Sequence, residues 1–143
     1  MRPPRAVLRL GWALHRGLFR ATGGRLGTQP ANGGLGTLFL LSTGRRSGAE
    51  RRNAIFYIED GPDFVVVASN AGADQEPAWW LNLQGRPDAE VEIAGDRIPV
   101  GARAATDAEA TRLWPRLDAR NPDYVAYRAK TSRPIAIVIL ERR

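Results

Sequence analysis

Apolar residues recur in the first 24 residues with the spacing of an α-helix. Pro3 and Pro4 suit a first helical turn, a periodic segment follows from Arg5 to Thr22, and Gly23-Gly24 ends it. One face is apolar and carries Val7, Leu10, Leu14 and Leu18. The opposite face is basic and carries Arg5, Arg9, Arg16 and Arg20. The pattern predicts a basic amphipathic helix over residues 1–24.

From residue 37 onward the pattern changes to short, β-branched apolar runs that are typical of strands. Six such runs occur: Thr37–Thr43, Asn53–Ile58, Phe64–Ser69, Ala89–Ile93, Arg97–Ala104 and Ile135–Leu140. The turn residues Glu59-Asp60-Gly61-Pro62 and Gly95-Asp96 each join two runs, which predicts two antiparallel hairpins. The last run has no polar break, so we expect a central, buried strand.

Three helical segments lie among these strands: Ala78–Gln84, residues 106–120 and Pro122–Thr131. Thr106 and Glu109 form a capping-box pattern at the start of the second segment, and Pro115 is expected to kink or break it. Six mostly antiparallel strands with peripheral helices pack naturally as a small closed or half-closed β-barrel. We therefore expect one domain over residues 1–143.

The composition excludes several classes of site. The chain has 143 residues, of which 43% are hydrophobic and 25% charged, and it contains no cysteine. Disulfides, thiolate metal sites and cysteine nucleophiles are thus excluded, and the single histidine, His15, excludes any site with two imidazoles. We expect no metal site. No apolar run approaches the ~20 residues of a membrane span, and no secretion signal is evident, which predicts a cytoplasmic protein.

Positive charge is concentrated in the first third of the chain. Residues 1–49 hold eight arginines and no acid, so they contribute +8 and the remainder −2 to the net charge of +6. Such a block attracts a cofactor phosphate, anionic lipid or nucleic acid. Nucleic acid is disfavoured because aromatic residues do not interleave with the arginines. The N-terminal helix either packs on the body of the protein or lies on a membrane surface, where Trp12 and Phe19 would flank its basic stripe.

The densest group of candidate binding residues lies between the first two strands. Thr43-Gly44-Arg45-Arg46-Ser47-Gly48 is followed closely by Arg51 and Arg52. Glycines let backbone N–H groups approach an anion, and guanidinium groups bind phosphate or carboxylate oxygens as planar forks. The segment lacks the spacing of a Walker loop or a Rossmann turn. It predicts a phosphate- or carboxylate-binding turn, against the alternative of a solvated basic turn.

Three further groups carry polar or aromatic side chains near predicted element ends. Ser69 ends a strand beside a glycine-containing loop, where its hydroxyl would either hydrogen-bond a ligand or cap the entry to a helix; no neighbouring residue pattern would activate it as a nucleophile. Trp79-Trp80 with Asn82 could form a wall for a planar ligand or simply belong to the core. Tyr124 and Tyr127 lie on one helical face, as a lid over a pocket or as ordinary packing residues.

Five motifs occur in a fixed order along the chain. They are L-S-T-G-R-R-S-G-x-x-R-R, Y-I-E-D-G-x-x-F-V-V-V-A-S-N-A-G, P-A-W-W-L-N-L-x-x-x-P-x-x-x-V, L-W-P-R-L and Y-x-x-Y. Together, from about Gly23 to Leu140, they resemble the deazaflavin (F420)-dependent nitroreductase and quinone reductase family. The resemblance implies a mainly β (α+β) fold, a six-stranded antiparallel split β-barrel of the FMN-binding type with N-terminal and peripheral helices. It also implies hydride transfer from reduced F420 to a quinone or nitroaromatic compound.

The resemblance also implies roles for individual residues. The phosphate and acidic tail of F420 would be held by Arg45, Arg46, Ser47, Gly48 and Arg51. The deazaflavin ring would be lined by Tyr57, Ala68, Ser69, Asn70, Trp79, Trp80 and Asn82. The substrate pocket would contain Phe56, Tyr124 and Tyr127. Ser69 and Tyr127 would be the catalytic hydrogen-bond donors.

Four positions depart from the pattern of the family. Asn70 replaces a frequent lysine, Phe56 and Asn121 replace tyrosines, and Ala54 replaces a common proline. The cofactor site is thus mostly kept and the substrate pocket altered, which favours a quinone acceptor over nitroimidazole prodrugs. F420 is favoured over FMN because its acidic tail suits this many arginines. The alternative is a non-catalytic protein of the same fold that binds a cofactor, lipid or fatty acid; membrane contact, if made, would be at the inner face of the plasma membrane.

Overall fold

The computed structural model describes residues 36–143. The helix predicted over residues 1–24 lies outside this range. The described chain contains six strands: β1 (Gly36–Thr43), β2 (Glu50–Asp60), β3 (Asp63–Val67), β4 (Asp88–Ile93), β5 (Asp96–Ala104) and β6 (Ile137–Arg142). It also contains a single 3-10 turn (Asn70–Gly72) and three helices: α1 (Ala78–Gly85), α2 (Asp107–Arg120) and α3 (Asp123–Lys130). None of these helices is long and apolar enough to span a bilayer.

The six strands form a closed barrel in the order β1-β2-β3-β6-β5-β4, and every neighbouring pair is antiparallel. The two predicted hairpins are present as β2–β3 and β4–β5. Gly61 and Gly95 supply the positive φ angles, 59° and 85°, that such tight turns require. Pairing of Phe39–Leu41 with Glu90–Glu92 closes the barrel. The predicted barrel architecture is therefore confirmed.

Side-chain alternation divides the core into two layers. Residues such as Leu38, Leu40 and Val66 point into the barrel and form its interior together with side chains of α1. On the outer face of β3 and β6, a second apolar cluster packs under α2 and α3; it includes Val65, Val67, Ile137, Ile139, Leu113 and Leu117. Strands β3 and β6 are therefore apolar on both faces, which is why the hydrophobic run near the C-terminus has no polar break.

The structure differs from the predicted elements at several boundaries. Strand β2 begins at Glu50, so Arg51 and Arg52 pair with β1 instead of belonging to a loop. Strand β3 ends at Val67, and Ser69 precedes the 3-10 turn. Helix α2 continues through Pro115 to Arg120, so the predicted break does not occur. Leu113 and Leu117 are buried on either side of Pro115, and their packing on the barrel outweighs the one hydrogen bond that proline removes.

A charged network fixes the start of α2. Thr106 and Glu109 form the predicted capping box, with Thr106 N–H donating to Glu109 Oε1 at 2.9 Å and Glu109 N–H donating to Thr106 Oγ1 at 3.2 Å. Arg103 of β5 binds the same carboxylate through two hydrogen bonds of 2.6 and 2.8 Å. The Arg103 guanidinium, followed by the Thr106 N–H, lowers the pKa of Glu109 to about 2. The network thus ties α2 to the barrel only while Glu109 is ionised.

We expect Glu109→Gln to lower the free energy of unfolding at pH 7 and to flatten its acid dependence. The folded pKa of about 2 lies below the ordinary 4.5, so the stabilisation is complete above pH 4.5 and is lost as the pH falls toward 2. Urea unfolding at pH 7, 4.5 and 3 measures both effects. Glu141→Gln, which removes a more exposed partner of Arg103 at 3.2 Å, is the matched control and should change stability less. Parallel pH curves for wild type and Glu109→Gln would contradict this account.

Candidate active site

A tight turn between β1 and β2 presents the arginines that the sequence singles out; we call residues 44–51 the arginine turn. Gly44 N–H donates to the Ala49 carbonyl at 2.7 Å, and Gly48, at φ 73°, donates to the Gly44 carbonyl at 2.9 Å. The Ser47 hydroxyl accepts hydrogen bonds from Ala49 N–H at 3.1 Å and from Arg51 Nη2 at 3.4 Å. The turn is therefore ordered by its own backbone and by Ser47.

A buried amide anchors this turn to α1. Asn82 Oδ1 accepts two hydrogen bonds of 3.1 Å from Arg45, one from the backbone N–H and one from Nη1. Asn82 is only 5% exposed, so its carbonyl oxygen depends on these protein donors in place of water. Asn82 thereby fixes the position of Arg45 relative to the barrel.

The arginine turn carries positive charge that the described chain does not neutralise. Within residues 36–143, Arg45, Arg46 and Arg51 form no ion pair with a carboxylate. Arg52, in contrast, pairs with Glu92 at 3.3 Å and stacks over the ring of Phe39 at 4.1 Å. Three neighbouring guanidinium groups are thus available to an anionic ligand.

A cleft of about 1230 Å³ runs from the arginine turn to α3. A smaller recess of about 410 Å³ lies against the arginine turn itself. The two share five lining residues, which make them one continuous groove: Arg45, Arg46, Asn53, Ala78 and Trp79. The groove therefore connects a cationic end with an aromatic end.

A strained turn lines the middle of the groove. Ser69, Asn70 and Ala71 all face the cleft, and Asn70 and Ala71 have φ angles of 45° and 54°. These left-handed conformations are unfavourable for residues other than glycine. Gly72 follows at φ 78°, where an added Cβ would lie 3.1 Å from the backbone of Tyr127. The turn is thus pressed against α3.

Tyrosines of α3 form the other end of the groove. The rings of Tyr124 and Tyr127 lie 6.4 Å apart in an edge-on arrangement, and Trp114 of α2 packs against Tyr124 at 6.5 Å. Burial raises the pKa of Tyr124 to about 12, although a hydrogen bond with the Asn121 side chain acts in the opposite direction. Burial also raises the pKa of Tyr127, with a smaller contribution from Asp123. Both phenols are neutral at physiological pH and can donate hydrogen bonds.

The structure brings most of the predicted site residues together. Those that line the groove are Arg45, Arg46, Ser47, Arg51, Phe56, Ser69, Asn70, Trp79, Asn82, Tyr124 and Tyr127. Gly48 shapes the arginine turn without lining the groove. Tyr57, Ala68 and Trp80 belong to the barrel interior, where Tyr57 packs edge-on against Phe64 at 5.8 Å. These three side chains are not among the residues that line the groove, and their role in lining the ring stays a prediction.

Several lining residues were missed by the sequence analysis. The segment Gln75–Ala78 forms one wall, and it includes the carboxylate of Glu76. Ile55 and Leu81 add apolar surface. Nothing in the sequence indicates that the loop before α1 returns to the cleft.

Comparison with known proteins gives consistent results. Residues 12–142 match the sequence profile of the F420H(2)-dependent quinone reductase family. The F420H(2)-dependent quinone reductase Rv1261c of Mycobacterium tuberculosis is 35% identical over 133 residues, which cover 91% of this chain and 89% of that protein.

Solved structures share the architecture. An F420-H2 dependent reductase (FDR-A) superposes with a TM-score of 0.67 at 27% identity, covering 73% of this chain and 93% of that one. A structure described as a domain-swapped dimer has a TM-score of 0.71 at 23% identity, covers 93% of this chain and 99% of its own, and supports the fold alone. The predicted split-barrel fold and the resemblance to quinone reductases are confirmed. The chain belongs to the F420H(2)-dependent quinone reductase family.

Proposed function

We propose that the groove binds F420 with its anionic tail against the arginine turn and places a quinone near Ser69 and Tyr127. Membership of the family makes the chain an F420-dependent oxidoreductase that reduces quinones; the assignment of residues to these tasks is our proposal. The observation that carries it is the continuity of the groove. One cleft connects three unpaired guanidinium groups with neutral hydroxyl donors.

The residues present fit F420. A phosphate and an acidic tail need several cationic donors, and Arg45, Arg46 and Arg51 offer them without a competing carboxylate partner. A planar ring needs an apolar wall, and Trp79 lies beside the arginines in both parts of the groove. FMN, which carries a single phosphate, would leave part of this charge unused.

F420H2, when bound, supplies a hydride, which is two electrons and one proton. The task of the protein is to hold donor and acceptor in contact and to stabilise the quinone oxygen that gains negative charge. The Ser69 hydroxyl and the Tyr127 phenol both line the cleft and can donate hydrogen bonds to that oxygen. The ordinary pKa of a tyrosine is about 10, so the phenol of Tyr127 already carries its proton at physiological pH, and burial raises that pKa further. One further proton, taken from solvent, completes the quinol.

The cleft also offers apolar surface to the acceptor, beside these hydroxyls and the polar side chains of Asn70, Gln75, Glu76 and Asn121. Phe56 is 49% exposed and lies on the rim, while Ile55 and Leu81 line the cleft. This surface suits the flat face and apolar substituents of a quinone. A nitroaromatic compound has the same shape and would use the same donors, so we propose it as a second acceptor class. A lipid carrier is not favoured, since it would have no use for the three guanidinium groups.

Contact with a membrane surface and a cytoplasmic location stay proposals. Contact depends on the predicted N-terminal helix, which lies outside the described residues. Sedimentation with anionic liposomes, with and without residues 1–24, tests it.

Fluorescence titration with oxidised F420, run beside FMN at the same salt concentration, tests the cofactor assignment. We expect micromolar or tighter binding of F420 and much weaker binding of FMN. Purified protein with F420H2 should then reduce a soluble short-chain benzoquinone. Binding of FMN alone, or of neither cofactor, would contradict the proposed function.

We expect Arg46→Ala to raise the Kd for F420 by about tenfold or more and to leave folding intact. A charge-assisted hydrogen bond contributes roughly 1.5–3 kcal/mol, and Arg46 is exposed with no partner within the described chain. The same titration measures the effect, and rising salt should weaken the wild type more than the variant. Arg120→Ala removes an exposed arginine that does not line the groove, and its Kd should equal that of the wild type. Equal affinities for wild type and Arg46→Ala would refute the assignment of the arginine turn.

We expect Ser69→Ala and Tyr127→Phe each to lower kcat for quinone reduction by at least about tenfold. Each change deletes one donor to the oxygen that gains charge, and single donors of this kind contribute on the order of 10²-fold in other enzymes. Steady-state kinetics measures kcat, and F420 titration verifies that cofactor affinity stays within threefold. Thr111→Ala, which removes a hydroxyl from the exposed face of α2, is the control. Wild-type kcat in both variants would show that the reacting oxygen lies elsewhere.

A further inference from the structure

The strained turn is hydrogen-bonded to a guanidinium group outside the groove, that of Arg133. Arg133 Nη2 donates to the Ser69 carbonyl at 2.9 Å, and Nε donates to the Ala73 carbonyl at 2.7 Å. A longer bond of 3.3 Å joins Nη1 to the Ala68 carbonyl. One side chain therefore spans both ends of the turn that lines the middle of the cleft.

These acceptors lie 60 to 65 positions away in sequence, and all of them are backbone carbonyls. Within residues 36–143, Arg133 forms no ion pair with a carboxylate. Arg133 thus contributes the geometry of a planar, three-sided donor, and its charge is not used to neutralise an acid. A lysine ammonium cannot reach carbonyls on three sides in this way.

The turn needs such support because two successive residues, Asn70 and Ala71, are left-handed without being glycine. Two neighbouring hydrogen bonds also stabilise this turn. The Asn70 side chain donates to the Gln75 carbonyl at 2.9 Å, and the Thr131 hydroxyl bonds to Asp74 Oδ1 at 2.9 Å. The segment between α3 and β6 therefore contacts the turn through both Thr131 and Arg133.

We infer that Arg133 is a positioning residue for quinone reduction, which acts through the carbonyl of Ser69 to fix the Ser69 hydroxyl in the cleft. Arg133 itself does not line the groove. The inference rests on the proposed function, because it takes Ser69 as the donor to the acceptor oxygen. A small displacement of such a donor is sufficient to lower turnover strongly.

Arg133→Lys tests this inference, with Arg142→Lys as the matched control. Arg142 also donates to a backbone carbonyl, that of Pro62 at 3.2 Å, in a turn outside the groove. We expect Arg133→Lys to lower kcat by at least about tenfold, with the Kd for F420 within threefold and the protein folded by circular dichroism. Arg142→Lys should keep wild-type kcat. Arg133→Gln is the second variant if the lysine substitution prevents folding.

Two further readouts separate positioning from general stabilisation. Amide hydrogen exchange in a peptide covering residues 69–75 should be faster in Arg133→Lys than in the wild type, both with and without cofactor. In Arg142→Lys the same peptide should exchange at the wild-type rate. In a Ser69→Ala background, Arg133→Lys should lower kcat by less than about threefold, because the group through which it acts is already gone. Additive losses in this double-mutant cycle would overturn the inference, and so would unchanged exchange or unchanged kcat. A wild-type protein that reduces no quinone would instead overturn the proposed function.

Discussion

The burial of β3 and β6 on both faces is the constraint on which the rest of the structure depends. Val66 and Val138 point into the barrel, whereas Val65 and Ile139 point outward and are just as fully buried. An outer face of this kind cannot be left in water, since each such side chain contributes roughly 1.5–3 kcal/mol on burial. Helices α2 and α3 must therefore cover it. Because α3 covers this face, Tyr124 and Tyr127 lie at the edge of the barrel, next to the turn that follows β3.

The two ends of the groove are built by different means. At the arginine turn, charge is left unpaired and is held in place by neutral groups, the Asn82 amide and the Ser47 hydroxyl. Several arginines elsewhere on the described surface are paired with a carboxylate, as Arg128 is with Asp118 at 2.7 Å. At the aromatic end, the phenols are neutral at physiological pH, and burial raises their pKa further. This difference supports the proposal that an anionic tail binds at one end and a neutral acceptor at the other.

Sequence periodicity was sufficient for the barrel but only partly for the site. The hairpins, the capping box and the arginine turn depend on neighbours within a few residues, and local patterns indicate those correctly. The inward direction of Tyr57 depends on which face of β2 is enclosed, and that is fixed only when the barrel closes through β1 and β4. The role of Arg133 cannot be predicted from local patterns, because its partners lie 60 to 65 positions away in sequence. They are also backbone carbonyls, which every residue possesses.

The arginine turn and the turn at Asn70 and Ala71 also differ in backbone strain. Under the proposed function the arginine turn binds an anion, and there the glycines relax the backbone while Asn82 and Ser47 hold the guanidinium groups of Arg45 and Arg51. The turn at Asn70 and Ala71 instead stores unfavourable backbone geometry at the point where a hydroxyl faces the cleft. Such geometry persists only if the surrounding contacts determine it, and here they come from α3 through Gly72 and from Arg133 through three carbonyls. Under the proposed function, affinity for an anionic tail and precision at the reacting oxygen therefore belong to separate parts of the fold, and each can change without the other.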